Sequence, residues 1–265
     1  MKKKIIICGY PKSGNTWLVR LTAEIIGCPV AGYWLAPQTN EQAEEGQNRI
    51  SDSLCFKSHH SYNEFKQLSK YYLEGEEKLI YIVRDPRDIV VSGSHYFYFP
   101  AEKTRLNSIS SKVPFGLRLY HKFVDQQQYR QDIMTNILLE GGQIILSKFD
   151  SWMSHVNGFI NRDILFLKYE ELIADPLKES RKICEYLGID KEDESLITAI
   201  KNQSFEKKRK DFLDGNDHTR AKLLRSGNVG SWKKELSAKN LKRIELNVTE
   251  TMKNLGYKDQ MSHAG

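Results

Sequence analysis

The chain has no run of 18 or more apolar residues, so no segment is expected to cross a membrane as a helix. Cysteine is scarce: Cys8, Cys28, Cys55 and Cys184 form no C-x-x-C pair and no Cys/His spacing suited to a metal. Reduced, buried thiols in a cytoplasmic protein are therefore expected, not a disulfide scaffold or a zinc site. His59 and His60 are adjacent, with no third ligand nearby, so no metal is expected there either. There is no internal repeat and no low-complexity tract. Neither charge dominates: 40 basic residues face 34 acidic ones, a net charge of only +6. Much of that excess is local, in Lys207-Lys208-Arg209-Lys210 and then Arg220, Lys222, Arg225, Lys233 and Lys234. Such a cluster suits nucleic acid, a solvated helix face, or a lid over a small polyanion.

What is present is ordinary globular material. The 265 residues suffice for one large α/β domain, and a single domain over 1–265 is expected. Met1-Lys2-Lys3-Lys4-Ile5-Ile6-Ile7-Cys8 has the basic end and apolar run of a secretory leader. That run is short and leads directly into a glycine turn, so it is read as a first strand.

The next residues, Gly9-Tyr10-Pro11-Lys12-Ser13-Gly14-Asn15-Thr16-Trp17, carry the strongest chemical signal. A strand, a glycine-containing turn and a helix start converge backbone N–H groups and a positive helix end on an anion. Gly9, Gly14 and Thr16 fit the triphosphatase spacing G-x-x-x-x-G-K-[ST]. Asn15, however, stands where that motif has lysine, and the cation is displaced to Lys12.

Further apolar runs, Leu54–Phe56, Leu79–Val83 and Ile164–Leu167, predict strands. Helices are expected over Trp17–Ile26, Pro86–His95, Leu177–Leu187 and Lys239–Leu255. Asp85-Pro86 and Asp175-Pro176 supply caps at two helix starts, and Gly27, Gly188 and Gly256 supply stops. This alternation argues for a doubly wound parallel sheet flanked by helices, with ligands at the carboxyl ends of the strands. Residues 36–53 read as a loop, 115–158 as helical, 206–230 as a flexible flap and about 258–265 as a disordered tail.

Three constellations add chemistry. Arg84, at the end of a strand, and Ser92, two helical turns later, can grip one phosphate; alternatively Arg84 pairs with Asp85 or Asp88. In Phe56-Lys57-Ser58-His59-His60, Lys57 and His59 share one face at a strand's carboxyl end, which suits a base beside a cation. Arg225-Ser226-Gly227-Asn228-Val229-Gly230-Ser231-Trp232-Lys233 can fold over a phosphate, or be a surface turn into the last helix.

Taken together, these segments resemble the cytosolic sulfotransferase family over roughly residues 5–235. That family moves a sulfuryl group from 3′-phosphoadenosine 5′-phosphosulfate (PAPS) to a hydroxyl or amine, leaving 3′-phosphoadenosine 5′-phosphate (PAP). The resemblance implies that Lys12, Ser13, Gly14, Asn15 and Thr16 hold the 5′-phosphosulfate and that Arg84 and Ser92 hold the 3′-phosphate. It implies that His59 is the catalytic base, with Lys12 and Lys57 stabilising the transfer. Trp17 and Phe205 would flank adenine, Tyr169 would lie near the nucleotide, and Arg225, Ser226 and Gly227 would close over it. His95 would be a further pocket histidine; beside it Tyr96, from an aromatic run and not from the resemblance, is a candidate for the acceptor.

Two departures stand out. Asn15 replaces a hydroxyl residue, and Ser226 replaces a lysine, which removes one charge from the 3′-phosphate clamp. Tyr33, Trp34, Tyr96, Phe97, Tyr98 and Phe99 suggest a small aromatic or apolar alcohol as acceptor. The competing readings are a P-loop phosphotransferase and a non-enzymatic nucleic-acid binder acting through the basic run near residue 208.

Overall fold

The computed structural model describes residues 2–35, 44–72, 77–97, 126–144, 147–218, 221, 224 and 227–258. They fall into two compact units. One comprises Met1–Arg84 and Gly158–Val229, the other Asp85–Asn157 and Gly230–Gly265.

The first unit is built on a six-stranded sheet of β1 (Lys3–Cys8), β2 (Val30–Tyr33), β3 (Glu44–Glu45), β4 (Ser53–Ser58), β5 (Glu77–Val83) and β8 (Leu165–Lys168). Their order is β3-β2-β4-β1-β5-β8. All neighbours run parallel except β2 and β3. The chain leaves β1 toward β2 and β4 on one side, then crosses to β5 and β8 on the other. The loop after β1 therefore sits at the sheet's central carboxyl edge, where open α/β sheets hold ligands.

Helix α1 (Asn15–Ile26) begins in that loop and stops at Gly27, whose φ of 76° is the left-handed cap expected of it. Leu18, Leu21 and Ile25 on α1 pack with Ile5, Ile7, Ile80 and Ile82 of the sheet. Ile183 and Leu196, from α7 (Pro176–Leu187) and α8 (Asp193–Asn202), join the same core. The alternate sheet positions bury Ile6 and Tyr81, with Tyr81 stacked 4.2 Å from Phe159. Both expected capping aspartates act: Asp85 accepts from the Arg87 N–H and Asp175 from the Lys178 N–H.

The second unit holds α3 (Pro86–Tyr96), α4 (Gln126–Glu140), a hairpin of β6 (Gly142–Ile144) and β7 (Ser147–Phe149), α10 (Trp232–Glu235) and α11 (Ala238–Asn254). Helix α5 (Trp152–Phe159) begins in this unit and ends in the first. A Cβ on Gly93 of α3 would come within 2.7 Å of Met134 Sδ, so α3 and α4 pack closely at a residue that needs no side chain.

Several sequence expectations need correction. Over 126–158 the chain is not uniformly helical, because Gly141 (φ 78°) ends α4 and the β6–β7 hairpin follows. Residues 44–45 form the edge strand β3, and Val30–Tyr33 is a strand that periodicity missed. Helix α2 (Tyr62–Tyr72) is opened by a capping box: the Ser61 N–H donates to Glu64 Oε2 at 2.8 Å, and the Glu64 N–H donates back to Ser61 Oγ at 3.5 Å. Within the expected flap, Phe205–Asp214 is helix α9, capped by the Ser204 hydroxyl. Residues 36–43, 115–125 and 259–265 lie outside the described residues, as do Tyr98 and Phe99.

Candidate active site

The loop between β1 and α1 is held open by two glycines. A Cβ on Gly9 would lie 2.5 Å from the Ile82 carbonyl oxygen. One on Gly14, at φ 99°, would lie 2.5 Å from the Tyr169 ring. Lys12 adopts φ 71°, the left-handed region that side-chain-bearing residues avoid. Such strain persists where surrounding contacts impose it, often at functional sites. Helix α1 opens with Gly14 as N-cap, no capping side chain and no acidic residue in its first turn. Its first N–H groups and positive end thus remain for an anion. The Ser13 hydroxyl is fully buried, with no hydrogen-bond partner among the described residues, and Arg84 Nε is likewise unpartnered. Two orphaned donors around an uncapped helix start fit an anionic phosphate ligand.

Arg84 lies against the loop's own backbone. Its Nη1 donates to the Lys12 carbonyl at 3.1 Å and its Nη2 to the Asn228 carbonyl at 3.0 Å. The guanidinium sits 4.3 Å from the Tyr169 ring centre. In the second unit Asp85 binds Arg87, and Asp88 accepts from the N–H groups of Gly230 and Trp232. Tyr169, the first residue of α6 (Tyr169–Ala174), is a hub: its ring backs Gly14 and Arg84, and its hydroxyl donates to the Gly227 carbonyl at 2.8 Å. Gly227 lies so close to Phe205 that a Cβ would be 3.1 Å from its ring. Trp17 is oriented by its indole N–H, which donates to the Gln203 carbonyl at 2.9 Å.

Strand β4 delivers the basic pair. Lys57 Nζ donates to Thr16 Oγ1 and to the Tyr33 hydroxyl, each at 2.9 Å, and lies 4.7 Å from the Tyr33 ring centre. Burial, aided by the charge of Arg20, pulls its pKa down to about 7. His59 Nδ1 is 2.7 Å from the Gly9 carbonyl. A carbonyl only accepts, so Nδ1 carries a proton, and in the neutral imidazole Nε2 is then the basic nitrogen. His60 has a different task. Its Nδ1 meets Ser58 Oγ at 3.0 Å, and burial lowers its pKa against the opposing pull of Glu64.

In the first unit, then, the structure brings together Lys12, Ser13, Gly14, Asn15, Thr16, Trp17, Lys57, His59, Arg84, Tyr169, Phe205 and Gly227. Ser92, His95 and Tyr96 belong to α3 in the second unit. There His95 Nε2 meets Glu235 at 2.9 Å, and Tyr96 is exposed. Arg225 and Ser226 lie outside the described residues. Among the described residues no group of three His, Cys, Asp or Glu side chains could hold a metal ion. No described helix is long and apolar enough to cross a membrane.

Sequence reading missed the roles of Tyr33 and Gln203. No motif marks either, because each acts through a partner 24 or 186 positions away.

Known proteins resemble this chain over most of its length. Macaca fascicularis sulfotransferase 2A1 is 27% identical over 95% of this chain and 85% of its own length. Cavia porcellus 3-beta-hydroxysteroid sulfotransferase is 27% identical over 92% and 81%. Among solved structures, mouse sulfotransferase SULT7A1 complexed with PAP superposes with a TM-score of 0.64, at 23% identity over 96% of this chain and 85% of that one. Retinol dehydratase in complex with androsterone and the inactive cofactor PAP gives 0.58, at 16% identity over 95% and 81%. The sulfotransferase domain model matches residues 2–256, nearly the whole chain, and the chain therefore belongs to the sulfotransferase family.

Proposed function

We propose that this enzyme transfers the sulfuryl group of PAPS to a hydroxyl or amine of a small acceptor, with His59 as general base. The observation that carries the reading is the convergence on one loop of an uncapped helix start, strained Lys12, and His59, whose Nδ1 lies on the Gly9 carbonyl. When bound, the donor supplies an electrophilic sulfuryl group on a bisphosphate leaving group. The N–H groups of residues 14–17 and the Ser13 hydroxyl would hold its 5′-phosphate. Lys12 would neutralise charge on the departing oxygen. His59 Nε2 would take the acceptor's proton, while the Gly9 carbonyl steadies the imidazolium through Nδ1. Lys57, poised by Thr16 and Tyr33, would support the transferring group.

Arg84, with Ser92 and the Arg225-Ser226-Gly227 segment, would bind the 3′-phosphate. Trp17, Phe205 and Tyr169 would border the adenosine. His95 and Tyr96 would serve the acceptor. The PAP bound in two solved sulfotransferase-like structures supports the donor, and the androsterone bound in one of them supports a small alcohol acceptor. The reading takes 1–265 as one working domain, supported by a single family match over 2–256. It also places the protein in the cytoplasm, supported by four buried free thiols.

The test is transfer of label from [35S]PAPS to a panel of phenols, steroids and amines, with and without chelator, alongside PAP and ATP in a thermal-shift assay. Label transfer with stabilisation by PAP is expected. Stabilisation by ATP alone, or transfer only to a large polysaccharide, would defeat the reading.

A further inference from the structure

Asn15 occupies the position where the resemblance expects a phosphate-binding hydroxyl, yet it is only 2% exposed and turned away from that task. Its Nδ2 lies 2.8 Å from the Gly9 carbonyl and 3.1 Å from the Ser58 carbonyl. Both partners can only accept, so the amide nitrogen must face them, and its two hydrogens are both committed. Cys8 and Ser58 are register partners on β1 and β4, so these carbonyls sit where the parallel ladder ends. The amide supplies the bridge that the strands no longer provide.

Gly9's oxygen is also the acceptor for His59 Nδ1 at 2.7 Å. Nδ2 and Nδ1 lie 3.2 Å apart because two donors share one acceptor, whose two lone pairs accommodate both.

We propose that Asn15 is a positioning residue for His59: by fixing the Gly9 carbonyl it holds the imidazole in its Nδ1-protonated form. The catalytic part of this inference rests on His59 being the base. A threonine at 15 supplies one hydrogen and serves one carbonyl; an alanine serves neither.

The experiment compares wild-type, Asn15→Thr, Asn15→Ala, His59→Ala and the Asn15→Ala/His59→Ala double variant. Long-range 1H–15N correlation spectra of 15N-histidine protein read the His59 tautomer, calorimetry reads PAP affinity, and [35S]PAPS turnover reads kcat. Wild-type is expected to show the Nδ1–H form and Asn15→Ala a mixture. In Asn15→Ala, kcat should fall roughly 10- to 100-fold, the scale of a slightly misplaced catalytic group. PAP affinity should change by less than about threefold. Asn15→Thr, which keeps a polar side chain in the buried site, should be intermediate. The double variant should be no slower than His59→Ala.

A wild-type tautomer in Asn15→Ala, PAP affinity falling in step with kcat, or losses that multiply in the double variant would each overturn the proposal. Full turnover by His59→Ala would instead overturn the base reading and the catalytic half of this one. The spectra would still decide whether Asn15 sets the tautomer.

Discussion

Arg84 and Arg87 stand three residues apart at the junction of β5 and α3, yet their environments are opposite. Every guanidinium nitrogen of Arg87 meets a carboxylate oxygen: Nε and Nη2 bind Asp85, and Nη1 binds Glu245 at 2.9 Å. Its plane lies 3.8 Å from the Trp232 ring centre. Burial opposes its charge, but the bonds to Asp85 and Glu245 outweigh that and hold its pKa above the ordinary arginine range. Among the described residues Arg84 meets instead two main-chain carbonyls and an aromatic face, with Nε unpartnered. One arginine is neutralised by the protein itself; the other keeps its positive field for something anionic. Charge alone does not mark a binding residue. What marks it is which counter-charges the fold withholds.

Substitutions can break that contrast or sharpen it. The largest effect is expected outside the pair, at the proposed base: His59→Ala should lower kcat by about 10²–10⁴-fold while PAP still raises the melting temperature. Arg87→Ala strands two buried carboxylates and should cost about 3–5 kcal/mol in denaturant unfolding, with kcat per folded molecule little changed. Arg84→Ala should do the reverse. PAP affinity should weaken roughly 10- to 100-fold in calorimetry, the scale of charge-assisted hydrogen bonds, with a smaller loss of stability than Arg87→Ala causes. Equal stability losses without a change in PAP affinity would erase the distinction.

The smallest effect concerns Lys57, whose pKa lies near 7 in the folded chain and near 10.4 when unfolded. The cost of burying its charge is therefore full below pH 7 and relieved as pH rises toward 10.4. The stability of wild-type relative to Lys57→Met should accordingly improve across that window, as read by denaturant midpoints at each pH.

Much of this was legible in the residues. Continuous apolar runs located β1, β5 and β8, and Asp-Pro pairs located the starts of α3 and α7, because those signals are local and physically forced. Strand β2 was not legible: Val-Ala-Gly-Tyr is too short and too weakly patterned, and it becomes a strand by pairing with β4. Helix α2 had a readable signal in Ser61 and Glu64 that periodicity alone passed over. At the site, the loop's glycines and displaced lysine pointed to an anion. The orientation of Asn15 was beyond reach, since it depends on where the end of β4 arrives, 43 positions away.

That orientation also limits what this fold can become. Restoring the triphosphatase spacing by Asn15→Lys would drive a four-carbon stem and an ammonium into a space bounded by two strand-end carbonyls. The Gly9 backbone closes in on the same side chain, since a Cβ there would lie 3.0 Å from Asn15 Oδ1. A one-step route from sulfuryl to ATP chemistry is closed by the sheet edge, and engineering one would have to begin by moving β4.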